Sequence, residues 1–331
     1  MTNIRTSHEG QLSAVGNAEI LSVRLHSIRY AAPDINVYEF RPLDGGNLPL
    51  FTAGAHIDLH LAPGMVRSYS LMNSQDERHR YAVAVKKEAN GRGGSKAVHD
   101  DLRVGQELSI STPLNNFPLN ESASRSVLVA GGIGITPIYC MAQCLNALGC
   151  DWELHYAARS RKYAAFLSDL EAFGSRVRFH FDDEAGESVM DMAAMVGGQP
   201  EATHFYCCGP LPMMAAFEEA LAERPDEYVH LEYFKAAAPV IAEGGYEVVL
   251  QRSGQTVTIE PGQTILDAVL ALGIDAPFSC MEGICGSCEV KVIEGIPDHH
   301  DFVLSKEEQA KNEKTMICCS GSRTPRLVLD L

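Results

Sequence analysis

The chain has 331 residues, of which 46% are hydrophobic and 21% charged, as expected for a globular protein of two or three domains. Its 43 acidic and 27 basic residues give a net charge of -16, which disfavours binding to nucleic acid or anionic lipid. The N-terminus lacks an apolar run, and the longest apolar stretch, 127–142, is interrupted by glycines and a proline, so neither a signal peptide nor a membrane span is predicted. Ten cysteines in such a chain indicate a reducing compartment, and we expect the cytoplasm.

The first third of the chain is predicted to form a β-barrel. Residues 1–17 are polar and are expected to form a loose tail, and short alternating apolar segments separated by turn signals then run to about residue 114. This spacing predicts a small antiparallel barrel. The predicted strands are 20–25, 36–40, 56–61, 67–71, 81–87 and 107–111.

Two short motifs lie inside this predicted barrel. The first is Arg67-Ser-Tyr-Ser-Leu, in which Arg67 offers a fork for phosphate and Tyr69, on the same face of the strand, can pack on a flat ring. The second is Gly93-Gly-Ser, where Ser95 is predicted to cap a helix over 95–102 whose N-terminal amides make an anion site. Each motif alone is more often structural, and their combination is the informative feature.

From Ser126 the pattern changes to that of a parallel α/β sheet. A continuous apolar strand leads into Gly131-Gly-Ile-Gly134-Ile-Thr-Pro137 and then a helix over 138–148. Proline replaces the last glycine of the dinucleotide fingerprint, but a tight backbone still lets a pyrophosphate approach. Further strands are predicted at 152–158, 177–182 and 204–208, with helices at 163–173, 190–195 and 211–222. The last of these strands ends in Cys208-Gly-Pro, where an open parallel sheet places its ligands.

The last segment carries a cysteine pattern. After a linker at 236–245, a hairpin at 246–250 and 255–259, a helix at 264–272 and strands at 289–293 and 327–331 are predicted. Cys280, Cys285 and Cys288 follow C-x4-C-x2-C, and Cys318 comes after 29 intervening residues, which is the spacing of plant-type 2Fe-2S clusters. The adjacent Cys319 leaves the fourth ligand open, although the gap favours Cys318.

Other interpretations of these residues are less favoured. A structural zinc site usually has two C-x2-C pairs, and this chain has one. His299 and His300 are adjacent, so their side chains point apart in an extended chain and a solvated loop is favoured over a metal site. Residues 246–331 carry 13 acidic and 7 basic side chains, which predicts a basic face on the electron acceptor.

In this order, the motifs resemble those of the phthalate dioxygenase reductase family, which includes the vanillate demethylase and carnitine monooxygenase reductase subunits. The resemblance covers about residues 18–331. It also includes Glu232-x-Phe234 and Asp298-His-His-Asp301, and it departs from the family at Cys319 and at His300, where arginine is common.

The resemblance implies a multidomain fold: an antiparallel β-barrel flavin domain at 18–120, an α/β parallel-sheet nucleotide domain of the ferredoxin reductase type at 121–235, and an α+β β-grasp ferredoxin domain at 246–331. FMN would be lined by Arg67, Ser68, Tyr69, Ser70, Ala84, Val85, Lys86, Gly93, Gly94, Ser95 and Thr136, with Phe234 stacked on its ring. The nicotinamide nucleotide would be held by Gly131, Gly132, Gly134, Pro137, Cys208, Gly209 and Pro210, with Ser160 and Arg161 near the adenosine ribose. The cluster ligands would be Cys280, Cys285, Cys288 and Cys318.

The function implied is that of a reductase. A nicotinamide delivers two electrons as hydride and a 2Fe-2S cluster accepts one at a time, so a flavin is the needed converter. We expect electrons to pass from NADH, with NADPH also possible, to FMN, to the cluster and to a separate Rieske-type oxygenase, with no catalytic acid–base residues. The alternatives are a stand-alone NAD(P)H:acceptor diaphorase, a passive iron-sulfur carrier and a zinc-binding interaction module.

Overall fold

The computed structural model describes residues 19–62, 64–186, 188–235 and 244–331. The predicted N-terminal tail and most of the predicted linker therefore lie outside the described residues. Three sheets and one two-stranded pair follow one another along the chain. No helix in the described part of the chain is long and apolar enough to cross a membrane.

The first sheet is an antiparallel barrel with strand order β4-β3-β6-β1-β2-β5. A bridge between Leu71 and Val83 joins its two edges. β1 runs well beyond its predicted end, because its second half pairs with β2. The sequence pattern missed this half because it is mostly exposed and lacks apolar alternation. The strands are β1 (Ile20–Ala32), β2 (Ile35–Pro42), β3 (His56–Ala62), β4 (Met65–Ser70), β5 (Tyr81–Lys86) and β6 (Glu107–Ser111).

The helix that follows β5 is α1 (Gly94–Asp100). Its N-cap is Gly93, which has a φ of 84° in the left-handed region that favours glycine. The hydroxyl of Ser95 instead accepts a hydrogen bond from the backbone N–H of Glu88 at 3.0 Å. The predicted N-cap role of Ser95 is therefore wrong, because the glycine turn begins the helix before Ser95.

The second sheet is fully parallel, with strand order β11-β10-β7-β8-β9. Every residue of β8 and β10 is buried, including the polar Glu153, His155, Thr203 and His204, and the continuous apolar run lies in the neighbouring β7. α3 is shorter than predicted because Phe166 adopts a φ of 64°, so the helix begins only at Leu167. The strands are β7 (Arg125–Gly131), β8 (Trp152–Ala158), β9 (Val177–Phe181), β10 (Thr203–Cys208) and β11 (Val229–Glu232), and the helices are α2 (Ile135–Leu148), α3 (Leu167–Glu171), α4 (Met192–Val196) and α5 (Leu211–Ala220).

The third sheet is mixed, with strand order β13-β12-β18-β14-β16 and a parallel β12–β18 pair. α6 begins with a capping box between Thr264 and Asp267 and buries Ile265 and Val269 in the core of this domain. The elements are β12 (Tyr246–Leu250), β13 (Gln255–Ile259), α6 (Ile265–Ala271), β14 (Glu289–Glu294), β15 (Pro297–Asp298), α7 (Lys306–Lys311), β16 (Lys314–Met316), β17 (Gly321–Ser322) and β18 (Arg326–Leu329).

Candidate flavin, nucleotide and cluster sites

The four cysteines of the plant-type spacing lie together and are buried. The thiol of Cys318 contacts those of Cys280 and Cys288, and the thiol of Cys280 also contacts that of Cys285. The hydrogen bond with Cys280, followed by that with Cys288, holds the pKa of Cys318 well below its usual range. The hydrogen bond with Cys280 also lowers the pKa of Cys285 to about 7, against the effect of burial. The hydrogen bond with Cys285 raises the pKa of Cys280, and that with Cys318 raises the pKa of Cys288, so the four thiols share their protons. Four sulfurs in mutual contact are the donor set that a 2Fe-2S cluster binds as thiolates.

The backbone of the loop that holds these cysteines also suits a cluster. The N–H groups of Glu282 and Ile284 point at the sulfur of Cys280, at 3.3 and 3.4 Å. Gly283 and Gly286 have φ values of 71° and 77°, which turn the loop around the sulfurs. In the described ranges, no three His, Cys, Asp or Glu side chains are arranged to hold a metal ion. A 2Fe-2S cluster divides its four thiolates between two irons, and amides directed at sulfur tune its potential.

The thiol of Cys319 contacts that of Cys318, whereas Cys280 and Cys288 have Cys318 as their partner. Its sulfur lies 3.7 Å from the carbonyl of Met316, and a Cβ on Gly283 would come within 2.5 Å of it. Cys319 thus packs against the loop at Gly283, and Cys318 is the thiol that contacts Cys280 and Cys288.

The two adjacent histidines differ in environment. His300 is exposed and lies 3.0 Å from Asp298. The side chain of His299 is 7% exposed, and its Nδ1 lies 3.5 Å from the buried carboxylate of Asp301. The prediction of a solvated loop is therefore wrong for His299, because the chain folds it into the ferredoxin domain beside an acidic side chain.

Arg67 and the glycine turn before α1 are in contact. A Cβ on Gly94 would lie 2.5 Å from the Cγ of Arg67, so glycine lets the arginine stem cross the turn. The guanidinium donates to the carbonyls of Val66 and Arg92, at 2.7 and 3.2 Å. Burial, and then the charge of Arg92, lower the pKa of Arg67. The guanidinium of Arg67 beside this glycine turn is a group that an anion such as phosphate would fit, whereas that of Arg92 is paired with Glu282.

The remaining predicted flavin residues are not all on one face. Strand alternation puts Tyr69 on the face of Arg67, whereas Ser68 and Ser70 point to the other face. The hydroxyl of Ser68 donates to Asp58, and that of Ser70 donates to Glu232 of the nucleotide domain at 3.3 Å. On β5, Ala84 and Val85 are buried while Lys86 is exposed, and Thr136 is buried at the start of α2.

The two predicted nucleotide loops meet where the order of the parallel sheet reverses, between β7 and β10. A Cβ on Gly134 would lie 2.2 Å from the carbonyl oxygen of Cys208, and one on Gly131 would lie 2.5 Å from the Cδ of Pro210. Gly132 has a φ of 54° and open space beside it. The carboxyl ends of strands at such a reversal are where open α/β sheets bind ligands.

We expect Gly134→Ala to impair nucleotide binding far more than Gly132→Ala. The first substitution forces the loop away from the Cys208 carbonyl, whereas the second adds only backbone strain, at a cost of about 1 kcal/mol. The dependence of the anaerobic stopped-flow rate of flavin reduction on NADH concentration should show at least about tenfold weaker apparent binding for the first variant. Flavin and iron contents should match those of the unaltered protein in both variants. Equal affinities of the two variants would contradict this role for the loop.

Glu232 is a site residue to which the sequence assigned no role. It pairs with Cys208 across the parallel strands, and its carboxyl faces Ser70 of the barrel. Although part of the residue remains exposed, burial of the carboxyl raises the pKa of Glu232 to about 8, and the Ser70 hydrogen bond only partly opposes this. Burial, followed by the charge of Glu232, raises the pKa of Cys208. The available signal was a single acidic residue at the end of a strand, just before the exposed Phe234.

Ser160 and Arg161 lie just beyond the carboxyl end of β8. The guanidinium of Arg161 binds both carboxylate oxygens of Glu184, at 3.1 and 3.4 Å. It also stacks on Phe181, with its carbon 4.5 Å from the ring centroid. The fork that could bind a phosphate is therefore engaged by a carboxylate.

The cysteine-bearing loop, residues 279–288, lies against the flavin barrel and is called the cluster loop below. The hydroxyls of Ser68 and Ser279 are 3.0 Å apart across the domain boundary. The ferredoxin domain also contacts the nucleotide domain, where the rings of Tyr233 and Phe302 have centroids 4.6 Å apart. The ferredoxin domain is thus in contact with both other domains.

Comparison with known proteins identifies the class. Residues 22–118 match the family model described as "Oxidoreductase FAD-binding domain", and residues 248–322 match the "2Fe-2S iron-sulfur cluster binding domain". The chain is 50% identical to a phenoxybenzoate dioxygenase subunit beta of Ectopseudomonas oleovorans, over 97% of this chain and all of that protein. It is also 50% identical to a tetrachlorobenzoquinone reductase of Sphingobium chlorophenolicum, over 94% of this chain and 98% of that protein.

Two solved structures extend the match to the whole fold. Phthalate dioxygenase reductase is 36% identical with a TM-score of 0.71, over 94% of this chain and 98% of that chain. An intact type IV self-sufficient cytochrome P450 monooxygenase is 38% identical with a TM-score of 0.86, and this chain spans 43% of its length. The fold and sites define a flavin and 2Fe-2S oxidoreductase. The chain belongs to the phthalate dioxygenase reductase family, which confirms the predicted family and the three-part fold.

Proposed function

We propose that the protein is the NADH-dependent reductase component of a two-component Rieske-type oxygenase. Electrons enter from NADH, pass through FMN and the 2Fe-2S cluster, and leave to a separate oxygenase subunit. The observation that carries this proposal is the double contact of the barrel: Ser70 reaches Glu232 at the nucleotide site, and Ser68 reaches Ser279 of the cluster loop. When bound, the flavin accepts electrons as a pair and releases them singly.

In this proposal the domains are 18–120, 121–235 and 246–331, joined by a linker at 236–245. The cluster ligands are Cys280, Cys285, Cys288 and Cys318, supported by their mutual contacts. The predicted FMN and nucleotide residues keep their roles, supported by the contact of Arg67 with Gly94 and by that of Gly134 with the loop after Cys208. Ten unpaired thiols support a reducing compartment, and we propose the cytoplasm.

The choice of FMN over FAD is also part of the proposal, since the matching family model is described as FAD-binding. One guanidinium fork beside one glycine turn supports the binding of a single phosphate group, as in FMN. Acid extraction followed by chromatography identifies the flavin, and iron and acid-labile sulfide should each be found at two per chain for a 2Fe-2S cluster. Anaerobic stopped-flow mixing with NADH should then bleach the flavin before the cluster. Cluster reduction that precedes flavin reduction would rule out the proposed order.

The preference for NADH over NADPH is supported by the Arg161–Glu184 pair. An adenosine 2'-phosphate would have to displace the carboxylate of Glu184 from the guanidinium and would meet its negative charge. We expect Glu184→Gln to raise kcat/KM for NADPH by up to about fivefold while that for NADH stays nearly constant, because an exposed pair contributes about 1 kcal/mol or less.

The matched control for this prediction is the double variant Arg161→Gln with Glu184→Gln. Without the guanidinium, the gain for NADPH should disappear. A gain that persists in the double variant would show that Arg161 does not contact the 2'-phosphate.

A quinone reductase is the second candidate function. It is favoured by the relative named tetrachlorobenzoquinone reductase, which is as similar to this chain as the dioxygenase subunit is. Steady-state oxidation of NADH with a halogenated benzoquinone, in the unaltered protein and in one without the cluster, separates the two functions. Rapid quinone reduction that does not need the cluster would favour this candidate. Slow turnover without a protein acceptor, with cluster-dependent transfer to an oxygenase, would favour the first.

A further inference from the structure

A buried carboxylate joins the flavin barrel to the cluster loop. Asp58 lies on β3, is 6% exposed and accepts hydrogen bonds from three hydroxyl groups. One donor is Ser68 on the neighbouring strand β4. The other two, Ser279 at 2.9 Å and Ser287 at 3.1 Å, belong to the cluster loop. The carboxylate thus binds its own domain with one hydroxyl and the ferredoxin domain with two.

These contacts fix the part of the loop that carries the thiols. Ser279 directly precedes Cys280, and Ser287 lies between Cys285 and Cys288. A buried carboxylate is stable only when donors satisfy it, so the free energy favours the loop position that brings both hydroxyls to Asp58. Displacing the loop would deprive the Asp58 carboxylate of two of its three hydroxyl donors at once.

Other contacts from the barrel to the loop are more exposed. The exposed Arg92 donates to the carbonyl of Cys280 and pairs with Glu282 at 3.2 Å. The amide of the exposed Asn116 donates to the carbonyl of Cys285 at 2.7 Å. Exposed pairs of this kind are screened by water and salt and contribute little each. The buried Asp58 is therefore the barrel residue that contributes most to stabilising the position of the loop.

We propose that Asp58 is a positioning residue that holds the cluster loop against the flavin barrel and so sets the separation of flavin and cluster. This proposal rests on the electron route given above. The hydrogen bonds of the Asp58 carboxylate come from serine hydroxyls rather than from the cluster cysteines, so it acts through Ser279 and Ser287. Its absence should loosen the loop and slow transfer from flavin to cluster, while leaving flavin reduction by NADH unchanged.

An electrostatic role would have the opposite signature. The hydroxyl of Ser287 lies 3.4 Å from the sulfur of Cys285. It donates its proton to Asp58, so this proton is not available to the sulfur. Removing Asp58 would free this hydroxyl to donate to the sulfur and would also remove a nearby negative charge. Both changes raise the reduction potential of a cluster, which would favour its reduction rather than slow it.

The test compares the full-length holoprotein with Asp58→Ala and Ser279→Ala variants. The second variant keeps the barrel carboxylate and so guards against misfolding of the first. The control is Asp44→Asn, which removes an exposed carboxylate of the same domain whose one hydrogen bond within the described residues comes from the backbone N–H of Gly46. Three readouts are used: hydrogen exchange of the amides of 279–288, the two stopped-flow phases after mixing with NADH, and the cluster potential from an electron paramagnetic resonance titration.

We expect faster hydrogen exchange in the cluster loop and a flavin-to-cluster phase at least about tenfold slower in Asp58→Ala, since small displacements of reacting groups have large effects on rate. Ser279→Ala should show smaller changes in the same direction, and Asp44→Asn none. The cluster potential should be unchanged or higher. Unchanged exchange and phases in both test variants would overturn the proposal, as would a lowered cluster potential that accounts for the slow phase. If NADH fails to reduce the unaltered protein, the proposed function fails, while hydrogen exchange still decides the role of Asp58.

Discussion

Cys318→Ser is expected to yield a protein that still contains flavin but has lost the 2Fe-2S cluster, whereas Cys319→Ser is expected to keep both. The two thiols are adjacent and both buried, but only Cys318 contacts the thiols of Cys280 and Cys288. Serine oxygen is a poor substitute for thiolate as a ligand for iron and sulfide. Loss of one of four ligands in a buried site should therefore remove the cluster.

The measurements for this pair are the visible spectrum, acid-labile sulfide and the electron paramagnetic resonance signal after reduction. In Cys318→Ser, reduction of the flavin by NADH should remain at the unaltered rate, while reduction of a protein acceptor such as cytochrome c falls to background. Cys319→Ser should match the unaltered protein in both reactions. A cluster retained in Cys318→Ser and lost in Cys319→Ser would reverse the ligand assignment.

The sequence predicted the barrel, the parallel sheet and the cluster loop because each has a strong local pattern. The cysteine spacing is set by the geometry of one cluster, and the continuous apolar run of β7 reflects burial on both faces. The reversal of strand order brings together the loops after β7 and β10, as the open-sheet rule expects.

The contacts between domains could not be read from the sequence. Asp58 stands in a strand with apolar residues at Ile57 and Leu59, so its side chain reads as solvent-facing, yet that face is covered by the cluster loop. Ser68 and Ser70 belong to one sequence motif, but Ser68 contacts the ferredoxin domain and Ser70 contacts the nucleotide domain. Such roles depend on how separate domains pack together, and the periodicity of a single strand or helix carries no information about contacts between domains.

Some local features were also missed, for reasons of chain geometry. α7 (Lys306–Lys311) buries none of its residues, so it has no apolar periodicity. Its capping box between Ser305 and Glu308 was the signal available in the sequence. The left-handed conformation of Phe166, which delays the start of α3, has no such signal, because a bulky residue rarely adopts it.

Glu232→Gln is expected to flatten the dependence of stability on pH between about 4.5 and 8. Burial of the carboxyl raises the pKa of Glu232 from 4.5 to about 8 in the folded protein. Between these values the unfolded chain has lost the proton that the folded chain keeps, so the free energy of unfolding falls as pH rises, and the full penalty is present above pH 8. Because the residue is partly exposed, the penalty is on the order of a few kcal/mol. Glutamine has no ionisable proton, so Glu232→Gln removes this penalty.

The measurement is thermal unfolding of the holoprotein, followed by flavin fluorescence, at several pH values from 5 to 9, a range chosen to span about one unit beyond the pKa of Glu232. The midpoint of the unaltered protein should fall more steeply with pH than that of Glu232→Gln, so that the variant gains relative stability at the alkaline end. Glu219→Gln, which removes an exposed carboxyl from the same domain, should follow the unaltered protein. Parallel curves for all three proteins would mean that the carboxyl of Glu232 is ionised at neutral pH in the folded state. The contact from Ser70 would then stabilise a charge at the boundary between the barrel and the nucleotide site rather than a neutral acid.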